Sequence, residues 1–159
     1  MLIVAIGFSP SASIGQATQQ PSLKVNGELS STLALSASDL AALLHRSVTV
    51  TDDQGAKAVY EGIPIVELLR RAGVPLGKEL RGPNMTLCVV ATASDGYRAA
   101  FTLAEFDLGF TDQVILLADR RDGKPPSARE GPLRIIVPLD KRHARWVREV
   151  SSLTVRNVQ

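Results

Sequence analysis

Four side chains in this sequence have the type and setting to act on an anion: Arg134, Arg142, His143 and Arg145. All lie in Leu116–Val150, LLADRRDGKPPSAREGPLRIIVPLDKRHARWVREV, beside the single Trp146. Residues 119–148 carry nine Lys or Arg against four Asp or Glu, whereas the whole chain carries 18 against 16, so the net charge of +2 hides a polarised molecule. Such a local excess suits a phosphate, a sulfur oxyanion or an acidic partner; a solvated loop beside a strand is the competing reading. Arg134 opens the apolar run Ile135–Pro138, so its guanidinium either pairs with a carboxylate or binds an anion. His143 is flanked by Lys141, Arg142 and Arg145 and has one carboxylate near it in sequence, Asp140. It reads as a solvated loop histidine or, with Asp140, as an acid–base group. No catalytic residue is assigned.

Other chemistries have less to stand on. A single cysteine excludes an internal disulfide and any multi-cysteine zinc or iron–sulfur site. That residue, Cys88, sits in an apolar strand and reads as a small buried hydrophobe rather than a ligand. Paired-histidine metal spacing, a phosphate-cradling glycine loop and a nucleophile elbow are missing. Nucleic acid is not an expected partner despite a pI near 8.9, because only 4% of residues are aromatic and the basic residues are not interleaved with Phe or Tyr.

The elements that must position these groups read from turns and periodicity. With 159 residues, 45% of them apolar, the chain suits one domain with a real core. Residues 1–17 resemble an export signal without a charged n-region, with cuts after Gly15 or Ala17, so the expected location is periplasmic or otherwise exported. No later segment has the ~20 apolar residues that span a bilayer, so the mature domain is expected to have no membrane span. Residues 22–156 form the expected domain. A strand at Ser22–Leu29 turns at Asn26-Gly27. Ser36 with Asp39 caps a short helix ending near His45, whose side chain meets the helix dipole. A hairpin turns at Asp52–Gly55, and a helix follows Pro64 and ends at Gly73. Asp95-Gly96 turns a second hairpin, and QVILLAD reads as a central strand. A long loop 120–132, the strand LRIIVP, a polar loop 139–144 and a last strand complete the chain. Strands outnumber helices without regular βαβ alternation, which predicts an α+β single domain on a mixed, largely antiparallel sheet with short helices.

Five motifs in this order resemble the molybdopterin-binding domain of sulfite oxidase and its relatives, among them assimilatory nitrate reductases and periplasmic methionine-sulfoxide-repairing reductases. They are Tyr60-Glu61-Gly62-Ile63-Pro64 with Leu68-Leu69, Asp95-Gly96-Tyr97, Leu117-Ala118 with Gly123-Lys124-Pro125, Gly131-Pro132-Leu133-Arg134 with Val137-Pro138, and Arg145-Trp146. The resemblance covers about 23–155. It implies a sulfite-oxidase-like fold whose basic loops face a cofactor cavity, and it adds Tyr97 to the candidate anion or pterin-phosphate surface of Arg134, Arg142, His143 and Arg145.

The same resemblance implies molybdenum held by a pterin dithiolene and one cysteine thiolate, about a dozen residues before the Gly-Val-Pro-Leu motif. Here that region is Thr49-Val50-Thr51-Asp52, without sulfur. Glu130 stands where the family often has histidine, and Arg145 where it has lysine. The expectation is an exported domain without molybdenum or a metal site, binding a small anion or a redox partner protein through its basic C-terminal surface. The alternative is a molybdopterin-dependent oxidoreductase, transferring oxygen atoms, with an atypical or shared metal site.

Overall fold

Alternation builds the first element. Leu23 and Val25 are buried and Lys24 is exposed, which sets strand β1 (Leu23–Gly27). In the computed structural model, residues 22–159 are described, and the expected export segment lies outside them. β1 turns back into β2 (Leu33–Leu35). Ser36 then caps α1 (Ala37–Ala41): its hydroxyl accepts from Asp39 N, and the Asp39 carboxylate accepts from Ser36 N. The helix ends at Ala41 rather than near His45. It buries only Leu40, too little apolar face to extend so short an element.

β3 (Arg46–Thr51) and β4 (Lys57–Pro64) form the expected hairpin, closed by Asp52, whose Oδ1 accepts from Gln54 N and Ala56 N. Helix α2 (Ile65–Arg71) follows Pro64, buries Ile65, Leu68 and Leu69, and gives way to Gly73 at φ +76°. β5 (Leu87–Ala93) and β6 (Arg98–Thr102) form the second hairpin around Asp95-Gly96. β7 (Leu116–Arg121), β8 (Arg134–Ile136) and β9 (Val150–Asn157) complete the strands among the described residues.

The fold is α+β, with mixed and largely antiparallel pairing as expected, but the strands divide into two sheets. One runs β2-β1-β9-β5-β6 and the other β3-β4-β7-β8. Only β1 and β9 pair in parallel. One continuous core takes Leu23, Val89 and Leu153 from the first sheet and Ile63, Leu117 and Ile135 from the second. β7 is central, and Leu116, Leu117 and Ala118 are all buried.

Two glycines of the motifs are needed by close approach. At Gly62 the β4–β7 register shifts, and a Cβ there would lie 2.1 Å from Leu117 O. Gly131 has φ +71°, and its Cβ would lie 2.3 Å from Glu149 Cγ. Glu130 is thereby set against the segment that leads into β9, with Glu149 N donating to Glu130 O at 3.1 Å.

Candidate functional site

The tip of the β3–β4 hairpin, the end of β7, the start of β8 and the short turn at 143–145 converge on one polar pocket of about 190 Å³. Its cations are Arg121, Arg134 and Arg148, its carboxylates Asp52, Asp53 and Glu130, and its back wall Tyr60, His143 and Trp146. β8 starts at Arg134 because the apolar residues after it enter the core, which pulls the guanidinium down to 5% exposure.

Arg134 both pairs with a carboxylate and faces the pocket. Nη1 donates to Glu130 Oε1 at 2.5 Å and to the Tyr60 hydroxyl at 3.4 Å, and Nη2 lies 4.0 Å from Asp53 Oδ2. Its guanidinium stands 5.5 Å from the Trp146 ring centroid. Nε is buried and has no acceptor among the described residues. Arg121 Nη2 donates to Asp52 Oδ2 at 2.6 Å and Nη1 lies 3.5 Å from Glu130. The Ala56 and Gln54 amides and Arg121 together hold the Asp52 carboxyl below its ordinary value. Burial pushes the Tyr60 phenol up against the opposing pull of Arg134 and Arg121, so it remains a neutral hydroxyl.

His143 lies flat on Trp146, ring centroids 3.6 Å apart and planes 16° from parallel. Trp146 is anchored by Nε1 donating to Val137 O at 3.1 Å and meets Tyr60 edge-on. The carboxylate facing His143 is Asp53, not Asp140: Nδ1 lies against Asp53 Oδ1 without directed hydrogen-bond geometry. His143 is therefore tucked against the pocket wall rather than standing as a solvated loop residue.

Tyr97 and Arg142 stand on either side of this wall. Tyr97 is half exposed, donates from its hydroxyl to Ala144 O at 2.8 Å, and lines a cleft of about 260 Å³ that shares His143, Trp146 and Arg148. Arg142 is exposed and lines a cleft of about 480 Å³ with Lys141 that shares Asp52, Asp53 and His143.

Arg145 does not join them. Nε and Nη2 fork onto Asp140 at 3.0 and 2.7 Å, Nη1 donates to Glu105 at 2.6 Å, and the guanidinium stacks 4.9 Å over Phe101. The Asp140 and Glu105 hydrogen bonds push its pKa up, so it is a permanently charged strut. Asp140, once the only visible partner for His143, is consumed by it.

The pocket is thus charge-compensated rather than simply basic, since three guanidiniums face three carboxylates. The sequence reading missed Asp52 and Asp53 as site residues because they lie about 70 residues or more before the basic segment, and it noted Glu130 only as a departure from the family motif although it stands four residues before Arg134. One signal was available: a turn needs one capping aspartate, and Asp52-Asp53 supplies two. His45, expected to meet a helix end, instead binds Asp119 through Nε2 at 2.9 Å and Leu43 O through Nδ1 at 2.8 Å. Cys88 is on β5, in the other sheet, and lines a separate cavity with Phe101 and Val158.

Residues 12–159 match the family described as "Oxidoreductase molybdopterin binding domain". Among solved structures, the sulfane dehydrogenase SoxCD from Paracoccus pantotrophus aligns with a TM-score of 0.67 at 20% identity, over 86% of this chain. The match covers 38% of that structure's chain, and at this identity the likeness establishes the fold. No curated protein matches the chain.

Proposed function

The chain belongs to the oxidoreductase molybdopterin-binding domain family, and from that premise we propose that its polar pocket binds a small oxyanion without ligating molybdenum. The observation that carries this reading is Arg134, a residue at 5% exposure that lines the pocket with a buried Nε lacking an acceptor among the described residues. A tetrahedral or planar oxyanion supplies the missing acceptors in the geometry a guanidinium fork prefers.

The donor set supports the second half of the proposal. Molybdenum in the family is expected to take a soft thiolate, whereas the pocket offers carboxylates, an imidazole and guanidiniums, and the chain's one thiol stands in the other sheet. Among the described residues no group of three or more His, Cys, Asp or Glu is arranged to hold a metal ion. The residues present do not fit thiolate ligation. The exposed Lys141 and Arg142 extend the reading to an acidic or redox partner protein docking beside the pocket. Export, carried by residues 1–17, belongs to the same proposal.

The family match over residues 12–159 favours one other reading, a molybdopterin-dependent oxidoreductase whose metal site is completed by another subunit. Two measurements separate them. Protein purified from a host that makes the cofactor is assayed for molybdenum and for the fluorescent pterin released on oxidation, and sulfate is titrated into it by calorimetry. The expected result is metal-free and pterin-free protein that binds sulfate, with affinity falling as salt rises and lost in Arg134→Met. Molybdenum near one equivalent overturns the proposal in favour of the oxidoreductase.

A further inference from the structure

The β3–β4 turn holds two aspartates that do different work. Asp52 closes the turn: Oδ1 accepts from Gln54 N at 3.0 Å and Ala56 N at 2.9 Å, and Oδ2 accepts from Arg121. Asp53 makes no hydrogen bond within the turn. Its side chain, 53% exposed, reaches across the mouth of the pocket to three basic groups on two other segments. Oδ1 meets His143 Nδ1, and Oδ2 lies 4.0 Å from Arg134 Nη2 and 3.9 Å from Arg148 Nη2.

We infer that the Asp53 carboxylate occupies the oxyanion subsite itself, as a tethered competitor that a free oxyanion must displace. This rests on the oxyanion-binding reading above and adds where the ligand sits and what regulates its entry. Three cationic or protonatable side chains from two segments converge on one carboxylate that does not take part in closing its own turn.

The contacts also show why the competitor is displaceable. Two of its three partners are near 4 Å, beyond hydrogen-bond reach, and the pair with Arg148 is exposed on both sides, where such pairs are weak. An oxyanion free to settle deeper makes shorter contacts with the same groups and offers an acceptor to Arg134 Nε, which Asp53 leaves unpaired. With Asp53 swung out, three guanidiniums face the two remaining carboxylates, Asp52 and Glu130, so the pocket gains a net positive charge at the moment a ligand enters. The affinity for an oxyanion is therefore set by exchange of one anion for another.

The test titrates sulfate by calorimetry, at constant ionic strength, into the full chain and into Asp53→Ala, Asp53→Asn and the double variant Asp53→Ala/Arg134→Met. The half-exposed side chain and the separate turn closure by Asp52 leave both single variants folded. Removing the competing carboxylate is expected to tighten sulfate binding by about tenfold in both, since the neutral amide keeps the shape and loses the charge. The double variant is expected to lose that binding. Equal affinity in the parent chain and both single variants overturns the role of Asp53 while leaving the oxyanion site in place. Tightening in Asp53→Ala alone assigns the effect to bulk and overturns it as well. Retained tight binding in the double variant places sulfate elsewhere and has the same force. Absence of sulfate binding in every form overturns both this inference and the oxyanion reading beneath it.

Discussion

Charges in this molecule are settled pair by pair, and the outcome for each residue depends on which partner reaches it first. Arg145 is held by two carboxylates and an aromatic face, so its charge is spent on joining the 143–145 turn to Thr102–Glu105. Arg134 is only partly satisfied, and in the proposed function that difference separates a strut from an oxyanion-binding group. His45 shows the same logic outside the pocket. Its hydrogen bond to Asp119 raises its pKa above the ordinary 6.5, with burial and Arg120 pulling the other way, and Asp119 Oδ1 is buried without a partner among the described residues. A folded value above the unfolded one means that the stabilisation is fully present below pH 6.5 and is lost as pH rises through the folded value. The melting temperature of the parent chain is therefore expected to exceed that of His45→Gln most in mildly acidic buffer, with the gap narrowing in alkaline buffer. A gap that stays constant across that range would remove the ion pair from the account.

Elements in this fold are defined by their ends and by the points where strands come close. The capping pair Ser36/Asp39, the Asp52 turn, and the Asp95-Gly96 turn were legible because each uses local hydrogen bonds between residues two to four apart. The close approach at Gly62 was visible only as a motif letter, and its cause is a contact with Leu117, distant in sequence. Gly62→Ala is expected to destabilise the protein by about 2 kcal/mol or more, because the added methyl meets backbone on the central strand of its sheet and neither strand can give way cheaply. Chemical denaturation gives the number; a loss under about half a kcal/mol would mean that β4 and β7 separate more easily than their packing implies.

At the scale of the molecule, the two sheets depend on one connection. After Trp146 the chain runs beside β8, with Ile135 N donating to Val147 O at 2.8 Å and Val150 N to Leu133 O at 3.0 Å. It then enters the middle of the other sheet as β9, between β1 and β5, and buries Val150, Leu153 and Val155. The wall of the pocket and the centre of the five-stranded sheet are therefore consecutive in the chain. Deleting residues 150–159 is expected to abolish cooperative unfolding and the near-ultraviolet signal of Trp146, since it leaves β1 and β5 without a shared neighbour. A truncated chain that still melts in one sharp transition would show that the four-stranded sheet folds alone.

Local pattern in the sequence determined most of the strands, the starts of the two main helices, the hairpin turns and the α+β class, because alternation, capping and turn residues act over a few positions; the short β2 and the early end of α1 were not legible. The ordered motifs likewise pointed to the family. Only the tertiary structure decided the division into two sheets, since which strands become neighbours depends on burying both faces of one core. It also decided the partners of the charged groups. Asp140 is three residues from His143 yet belongs to Arg145, while Asp53, far away in the chain, faces His143 across the pocket. Coulomb attraction and hydrogen bonding act through space at a few ångströms, so the excess of basic residues in the C-terminal third became a compensated pocket only once the fold brought Asp52 and Asp53 to it beside Glu130.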